Sequence, residues 1–274
     1  MSRVLILSSW VSVGHVGLSA AVPVLQALGH HVTLLPTILL SNHPGWPHSA
    51  VHPVPAAKIM EMLDALDANG WLKGHDAVLT GYLPSAAHVD MACTLIERVR
   101  QRSVCLKIVV DPIVGDRPNG LYLNEAAAVS IRDKLVPMAH VLTPNLFELG
   151  WLTGIETSTM ADTLAAAAKL TARGGEVLVT SPPVSATETG VLSVRPDDTT
   201  LYRTPLIRHV PHGVGDVFSG LIAAGLAVDA VLGHLQALVH ASAGFPHLRI
   251  VEAAESWKNA AAVKGAPYSI RSEE

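Results

Sequence analysis

The stretch of this chain with the most chemistry in its residue types is Pro211-His212-Gly213-Val214-Gly215-Asp216-Val217-Phe218-Ser219-Gly220. Two glycines stand immediately before an apolar run with helical spacing. The first N–H groups of such a helix have no partner within it. Together with the helix dipole they can hold a phosphate or a developing anion. Asp216 falls in the first turn, beside those donors. A carboxylate there can accept the proton of a substrate hydroxyl while the amides hold a transferring phosphoryl group. Aspartate and glycine are also ordinary helix-start residues, so a plain cap is the competing reading.

Two further segments supply oxygen donors. Asp111-Pro112-Ile113-Val114-Gly115-Asp116 offers two carboxylates, and Thr143-Pro144-Asn145-Leu146-Phe147-Glu148 an amide and a carboxylate. Hard oxygen ligands suit Mg2+ held largely through water beside nucleotide phosphates. Asp111 and Glu148 are equally suited to capping helices. Ser12-Val13-Gly14-His15-Val16-Gly17 has a Gly-x-x-Gly spacing without the full dinucleotide fingerprint. Ser41-Asn42-His43-Pro44-Gly45-Trp46-Pro47-His48 reads as a polar and aromatic loop. The sequence contains no Walker A loop, no HExxH and no GxSxG elbow, so any phosphate handling must use a different loop.

The elements that must position these residues alternate along the chain. Val4–Leu7, His31–Leu35, Ala77–Thr80, Lys107–Val110, His140–Thr143 and Glu176–Thr180 read as strands. Helical patterns cover Leu18–Leu28, Ala56–Asn69, Ala86–Arg102, Asn124–Leu135 and Ala161–Arg173. This alternation predicts a mostly parallel sheet with helices on both faces. Gly190–Val194 and Leu201–Pro205 read as an antiparallel ribbon around Pro196-Asp197-Asp198, and helices follow over Asp216–Ala227, Ala230–Ala243 and Ala253–Val263. With no repeat, linker or low-complexity segment, one domain over 1–274 is expected. Five strands end in polar residues: Ser8-Ser9, Thr80-Gly81-Tyr82, Asp111-Pro112, Thr143-Pro144-Asn145 and Thr180-Ser181. In a parallel sheet those endings share the carboxyl edge, where open α/β folds bind ligands.

Composition removes other classes. A 49% hydrophobic content excludes a largely disordered chain. A net charge of −4 with 4% aromatic residues leaves neither a basic footprint nor a stacking platform for nucleic acid. Cys93 and Cys105 lie apart without metal spacing, which fits a reducing compartment. The run Val4-Leu5-Ile6-Leu7 is too short for a signal-peptide core. The apolar stretch Val217–Phe245 is broken by Asp229, His234, Gln236 and His240, so it reads as two buried helices rather than a membrane span. A soluble, cytoplasmic protein with no nucleic-acid or membrane partner is expected.

Taken together, these residues resemble the pyridoxal kinases of the ribokinase-like superfamily, colinearly from about Val4 to Ala243. The resemblance rests on Ser9 with Val11, Gly14 and Gly17, on Ser41-Asn42-His43, and on Thr80-Gly81-Tyr82. It continues through Asp111-Pro112 with Gly115-Asp116, Thr143-Pro144-Asn145 with Glu148, and Gly213-Val214-Gly215-Asp216. The Gly-x-Gly-Asp signature is superfamily-wide. The Ser-Asn-His loop is more specific to the pyridoxal branch, and Gly-Val-Gly-Asp-Val is similar to its bacterial PdxY type. The resemblance implies a three-layer α/β/α sandwich and transfer of the ATP γ-phosphate to the 5′-hydroxymethyl of pyridoxal, with pyridoxine and pyridoxamine as related substrates.

On that basis Asp216 would be the catalytic base, and the amides of Gly213, Val214 and Gly215 the anion hole. Asp111, Asp116 and Glu148 would position Mg2+ and the phosphates, mostly through water. Thr143, Asn145, Thr180 and Ser181 would face the nucleotide. Ser9, Val16, His43 and Tyr82 would surround the pyridine ring. The family is commonly dimeric and often stimulated by a monovalent cation such as K+.

The sequence departs from the family around the substrate. Pro44 stands where threonine is frequent, removing a hydroxyl and an N–H; Trp46 replaces a common tyrosine and Ser49 a common tryptophan. The segment expected over ATP, Pro182-Pro183-Val184-Ser185-Ala186-Thr187, holds no Lys or Arg. The rival readings are a hydroxymethylpyrimidine kinase, which shares Gly-x-Gly-Asp and the sheet, and a low-activity vitamer-binding protein. An NAD-dependent oxidoreductase lacks both its fingerprint and its acidic ribose partner.

Overall fold

A computed structural model describes residues 1–171 and 174–269. Its centre is the strand predicted from Val4–Leu7. This strand, β1 (Arg3–Val11), is buried on both faces through Ser9, as a central parallel strand must be. The elements that follow are α1 (Leu18–Ala27), β2 (His31–Leu40), β3 (Val51–Pro53), α2 (Ala56–Ala68), β4 (Ala77–Thr80), α3 (Ala86–Arg100) and β5 (Lys107–Val110). A short hairpin, β6 (Gly115–Asp116) and β7 (Gly120–Leu121), precedes α4 (Glu125–Ser130), β8 (Val141–Leu142), α5 (Leu146–Thr153), α6 (Met160–Thr171) and β9 (Glu176–Thr180). The ribbon β10 (Glu188–Val194) and β11 (Thr199–Pro205) is followed by α7 (Val214–Ala223), α8 (Val228–Ser242), α9 (Ala254–Lys258) and β12 (Ala266–Pro267).

Ten strands form one sheet in the order β12-β11-β10-β9-β8-β5-β4-β1-β2-β3. The six from β2 to β9 run parallel, and β3, β10, β11 and β12 extend the edges antiparallel. One face packs on α2 to α6 through residues such as Leu5, Leu7, Val78, Val110, Ile59, Leu95 and Leu149. The other packs on α1, α7, α8 and α9 through Val4, Ile6, Leu79, Val109, Leu25, Leu221 and Trp257. The architecture is the expected three-layer α/β/α sandwich of ribokinase-like proteins. Among the described residues, no helix is long and apolar enough to cross a membrane.

Several boundaries differ from expectation for identifiable reasons. β2 runs past Pro36 to Leu40, with the register against β1 shifting between Ser8 and Ser9. Pro36 has no N–H to give the ladder, so a bulge absorbs it and leaves Thr37 extra. The Thr37 hydroxyl then donates to the carbonyl of Tyr82 at 2.7 Å, tying the end of β2 to the end of β4. The helix expected over 124–135 is α-helical only to Ser130, then a π turn over Ile131–Leu135 and a 3-10 turn over Val136–Met138. Pro137 cannot donate an i to i−4 bond there. The last expected helix stops at Lys258, because residues 261–262 run against Gly233 of α8, where a side chain would collide with the Ala261 carbonyl. α5 was not anticipated. α6 reaches Thr171, and the end expected at Arg173 lies outside the described residues.

Candidate active site

From β1 the chain builds one way to β2 and the other way to β4, so the sheet changes direction between β1 and β4. Open α/β sheets form their ligand crevice at the carboxyl ends of strands flanking such a point. A cleft lies there, lined by Ser8, Gly17, Gly81, Asp111, Asp216 and Ser219 together with the apolar Ile6, Ala21 and Leu79. It brings together the ends of β1, β4 and β5 with the start of α7.

Asp216 reaches this cleft because α7 begins at Val214, with Gly213 as its N-cap at φ 104°. A side chain at Gly213 would strike the carbonyl oxygen of His15, so both the backbone angle and the close approach require glycine. The amides of Val214 and Gly215, at the first two helical positions, have no acceptor within the helix. Gly215 faces open space and has no steric need to be glycine. Asp216 lies in the first turn, half-buried and opening on the cleft. Burial raises its carboxyl to about pKa 6, against the pull of hydrogen bonds from the amides of Gly17 and of Asp216 itself. Gly17 can come that close because, at φ 56°, it packs directly on the Ser9 backbone.

Asp111 ends β5 on the same face, buried. It is not a helix cap. Its Oδ2 accepts the hydroxyl of Ser219 at 2.7 Å, and Ser219 Oγ lies 2.9 Å from Thr143 Oγ1. The single Ser219 proton goes to the carboxylate, so Thr143 donates to Ser219 and the buried chain runs Thr143 to Ser219 to Asp111. Desolvation pushes the Asp111 carboxyl well up, the Asp216 charge pushes it further, and the Ser219 hydrogen bond opposes both. Glu148 is also raised, by burial first and then by Asp111. Asp111 thus feels the charge of Asp216, and Glu148 that of Asp111, a repulsion that a divalent cation bound beside Asp111 would relieve.

Glu148 and Asp116 also have local structural partners. Glu148 is the third residue of a capping box on α5: Asn145 Oδ1 accepts from the Glu148 amide and Glu148 Oε2 from the Asn145 amide, both at 2.9 Å. The spacing Asn-x-x-Glu is the signal for a helix start here, and reading it only as ligands hid α5. Asn145 Nδ2 donates to the Gly115 carbonyl at 3.0 Å and Glu148 Oε1 accepts from the Val114 amide at 3.3 Å. These two side chains thus hold the β6–β7 hairpin to α5. Asp116 lies on that hairpin, accepting from Asn119 Nδ2 at 2.8 Å, and its charge acts on Tyr122 and His43. Among the described residues no three His, Cys, Asp or Glu side chains converge as a metal-chelating set. Asp111, Asp116 and Glu148 are not one cluster. Of the residues expected to face a nucleotide, Thr180 donates its amide to Pro144 O at 2.9 Å, and Ser181 holds a left-handed φ of 52°.

Of the predicted substrate residues, Val16 and His43 line a second cleft, while Tyr82 and Ser9 lie outside its lining. Val16 and Tyr82 pack with Val11, Ile38 and Leu40 in a small apolar cluster. Val16 also lines that cleft with Gly14, His15, His43, Trp46, His212 and His247. Ser9 lies behind, buried against Gly17. His43 Nδ1 accepts the Gly45 amide at 3.0 Å, and its ring stacks on His212 with centroids 3.8 Å apart and planes at 15°. Burial lowers the His43 pKa, His212 lowers it further, and Asp116 opposes both.

Sequence reasoning passed over Ser219, His212 and His247. Ser219 had a signal, since it follows Asp216 by three residues on one helix face. Ser8, within β1 just past its pairing with β4, accepts the Tyr82 amide at 3.2 Å. The histidines had none, because their relation to His43 exists only in the fold.

A three-layer sheet with an amide-lined helix start and a carboxylate at its switch point defines a ribokinase-like protein. Residues 12–245 match the family model described as phosphomethylpyrimidine kinase. The chain is 39% identical over 228 residues to a pyridoxine/pyridoxal/pyridoxamine kinase of Bordetella avium, covering 82% of this chain and 77% of that one. It is 34% identical to a pyridoxal kinase PdxY of Corynebacterium diphtheriae, covering 80% and 79%. The structure of pyridoxal kinase from Leishmania donovani in complex with ADP and pyridoxamine superposes with a TM-score of 0.90 at 26% identity, over 98% of this chain and 100% of that one. The chain belongs to the pyridoxal kinase family.

Proposed function

We propose that the chain, acting as one domain over 1–274, transfers the ATP γ-phosphate to the 5′-hydroxymethyl of pyridoxal, with pyridoxine and pyridoxamine as alternative substrates, yielding pyridoxal 5′-phosphate. The observation that supports this best is the position of Asp216. It is a carboxylate beside unclaimed helix-start amides, in a cleft at the sheet's switch point.

Each step follows from this arrangement. The raised Asp216 pKa of about 6 leaves it ionised at neutral pH yet basic enough to take the hydroxyl proton. The amides of Gly213, Val214 and Gly215 point donors at the charge that develops on the phosphoryl group. Phosphoryl transfer needs positioning and charge neutralisation more than covalent chemistry. Asp111, and Glu148 behind it, would hold Mg2+ through water, which neutralises phosphate charge when bound. Asp116, at the hairpin, would act from the substrate side. Thr143, Asn145, Thr180 and Ser181 would border the nucleotide, and Ser9, Val16, His43 and Tyr82 the pyridine ring. A homodimer, a cytoplasmic location and stimulation by a monovalent cation such as K+ belong to the same reading. This reading involves no nucleic-acid or membrane partner.

The test is ADP release by purified protein with ATP and Mg2+, offering pyridoxal, pyridoxine, pyridoxamine and hydroxymethylpyrimidine in parallel. Pyridoxal-dependent turnover is the expected result. Turnover with the pyrimidine alone would move the protein to that branch. Tight pyridoxal binding without turnover of any substrate would make it a vitamer-binding protein.

A further inference from the structure

The ring stack of His43 on His212 joins two loops with different tasks, the substrate loop and the loop that caps α7. The His212 backbone is held on both sides. Before it stands Pro211, whose own φ is fixed by its ring, and after it Gly213 is wedged against the His15 carbonyl and Leu248. The substrate loop is the less fixed partner: residues 44–50 are exposed. Its ring His43 has a defined orientation nonetheless. Nδ1 accepts the Gly45 amide, so the neutral imidazole carries its proton on Nε2, as a donor. A side chain at Gly45 would come within 2.9 Å of His43 Nδ1 and 3.7 Å of His212 Nε2. The glycine therefore lets the loop backbone close over both rings. A second ring contact, Trp46 with His247 at 6.0 Å, binds the same loop to the segment after α8.

We infer that His212 is a positioning residue, a fixed platform that holds the His43 ring, and with it the substrate loop, in register with the anion hole. This deepens the kinase reading and rests on it for the identity of the ligand. Ring pairs of this kind contribute modestly. The expected effect is a two- to tenfold change, about what such a contact is worth in an equilibrium constant.

The test uses the full chain and three proteins: wild type, His212→Ala and His212→Phe. Pyridoxal binding is measured calorimetrically, alongside the KM and kcat for pyridoxal and the KM for ATP. His212→Ala should weaken pyridoxal binding and raise its KM about two- to tenfold, with kcat and the ATP KM unchanged. His212→Phe, which keeps the stack and loses the nitrogens, should restore both. An alanine variant that lowers kcat alone overturns the inference, and so does a phenylalanine variant as impaired as alanine. Nitrogen NMR of the free protein separates this from the functional reading. In wild type His43 should show the Nε2–H tautomer, and His212→Ala should release it to a mixture. An unchanged His43 signal in the alanine variant overturns the platform role even if the enzyme acts on another alcohol.

Discussion

The proposed phosphoryl-transfer centre and substrate loop meet where His43 stacks on His212, next to Gly213, yet they are held by different forces. Thr143 and Asp111, just past the ends of β8 and β5, and Ser219, within α7, are buried and joined by hydrogen bonds of 2.7 to 2.9 Å. His43 and Trp46 sit on a half-open loop and are held by ring contacts across the cleft. A hydrogen bond to a buried charge outweighs an exposed ring pair. The difference separates what must be invariant in position, the charges at the transferring phosphate, from what must adapt to a heterocycle.

Changes on the buried side should have the larger effects. Asp216→Asn should lower kcat about 10²–10⁴-fold, the loss typical of a missing base, as read by ADP release. Wild-type activity should fall below about pH 6, where Asp216 becomes protonated, and that acid limb should vanish in the residual rate of the variant. Ser219→Ala leaves Asp111 without its O–H donor. It should weaken kcat/KM for ATP by about ten- to a hundredfold, the worth of a hydrogen bond to a charge, without changing pyridoxal binding. If pyridoxal binding falls instead, the two regions are not separable in this way.

Stability should move in the opposite sense. Asp111 and Glu148 are held above their ordinary pKa values. Their environment therefore favours the folded state at low pH, and that contribution is lost as pH rises through the raised values. Asp111→Asn should raise the thermal midpoint at pH 8, by about 2–4 °C for each kcal/mol of repulsion removed, while abolishing most activity. At pH 5 the gain should disappear, since wild-type Asp111 is then protonated. Scanning calorimetry at the two pH values checks both signs. The smallest effect belongs to the loop: Pro44→Thr restores a hydroxyl and an N–H and should lower the pyridoxal KM about two- to tenfold, the worth of one hydrogen bond.

The same division decides what could be read from the residues alone. The parallel strands were legible because burial on both faces makes them short β-branched runs, and their polar endings announced the edge that carries the cleft. Gly213 and Asp216 were legible because a helix start has a local signature. Asn145 and Glu148 also had one, a capping box, but their oxygens suggested ligands before they suggested α5. The bulge at Thr37 and the break after Ser130 were not legible, because Pro36 and Pro137 act only through partners the fold supplies. The stack of His212 on His43 joins residues far apart in sequence, and no periodicity carries it.

The layer made of α1, α7, α8 and α9 also has a consequence for synthesis. The opposite sheet face is covered by α2 to α6, helices that lie between the strands they protect. The face formed by Val4, Ile6, Leu79, Val109, Val141 and Leu178 has only α1 until residues past Val214 emerge from the ribosome. At translation rates the gap between β9 and the end of α8 lasts on the order of several seconds. During that interval the nascent chain carries an apolar wall covered only by α1, and α7, the helix that brings Asp216, is the next to close it.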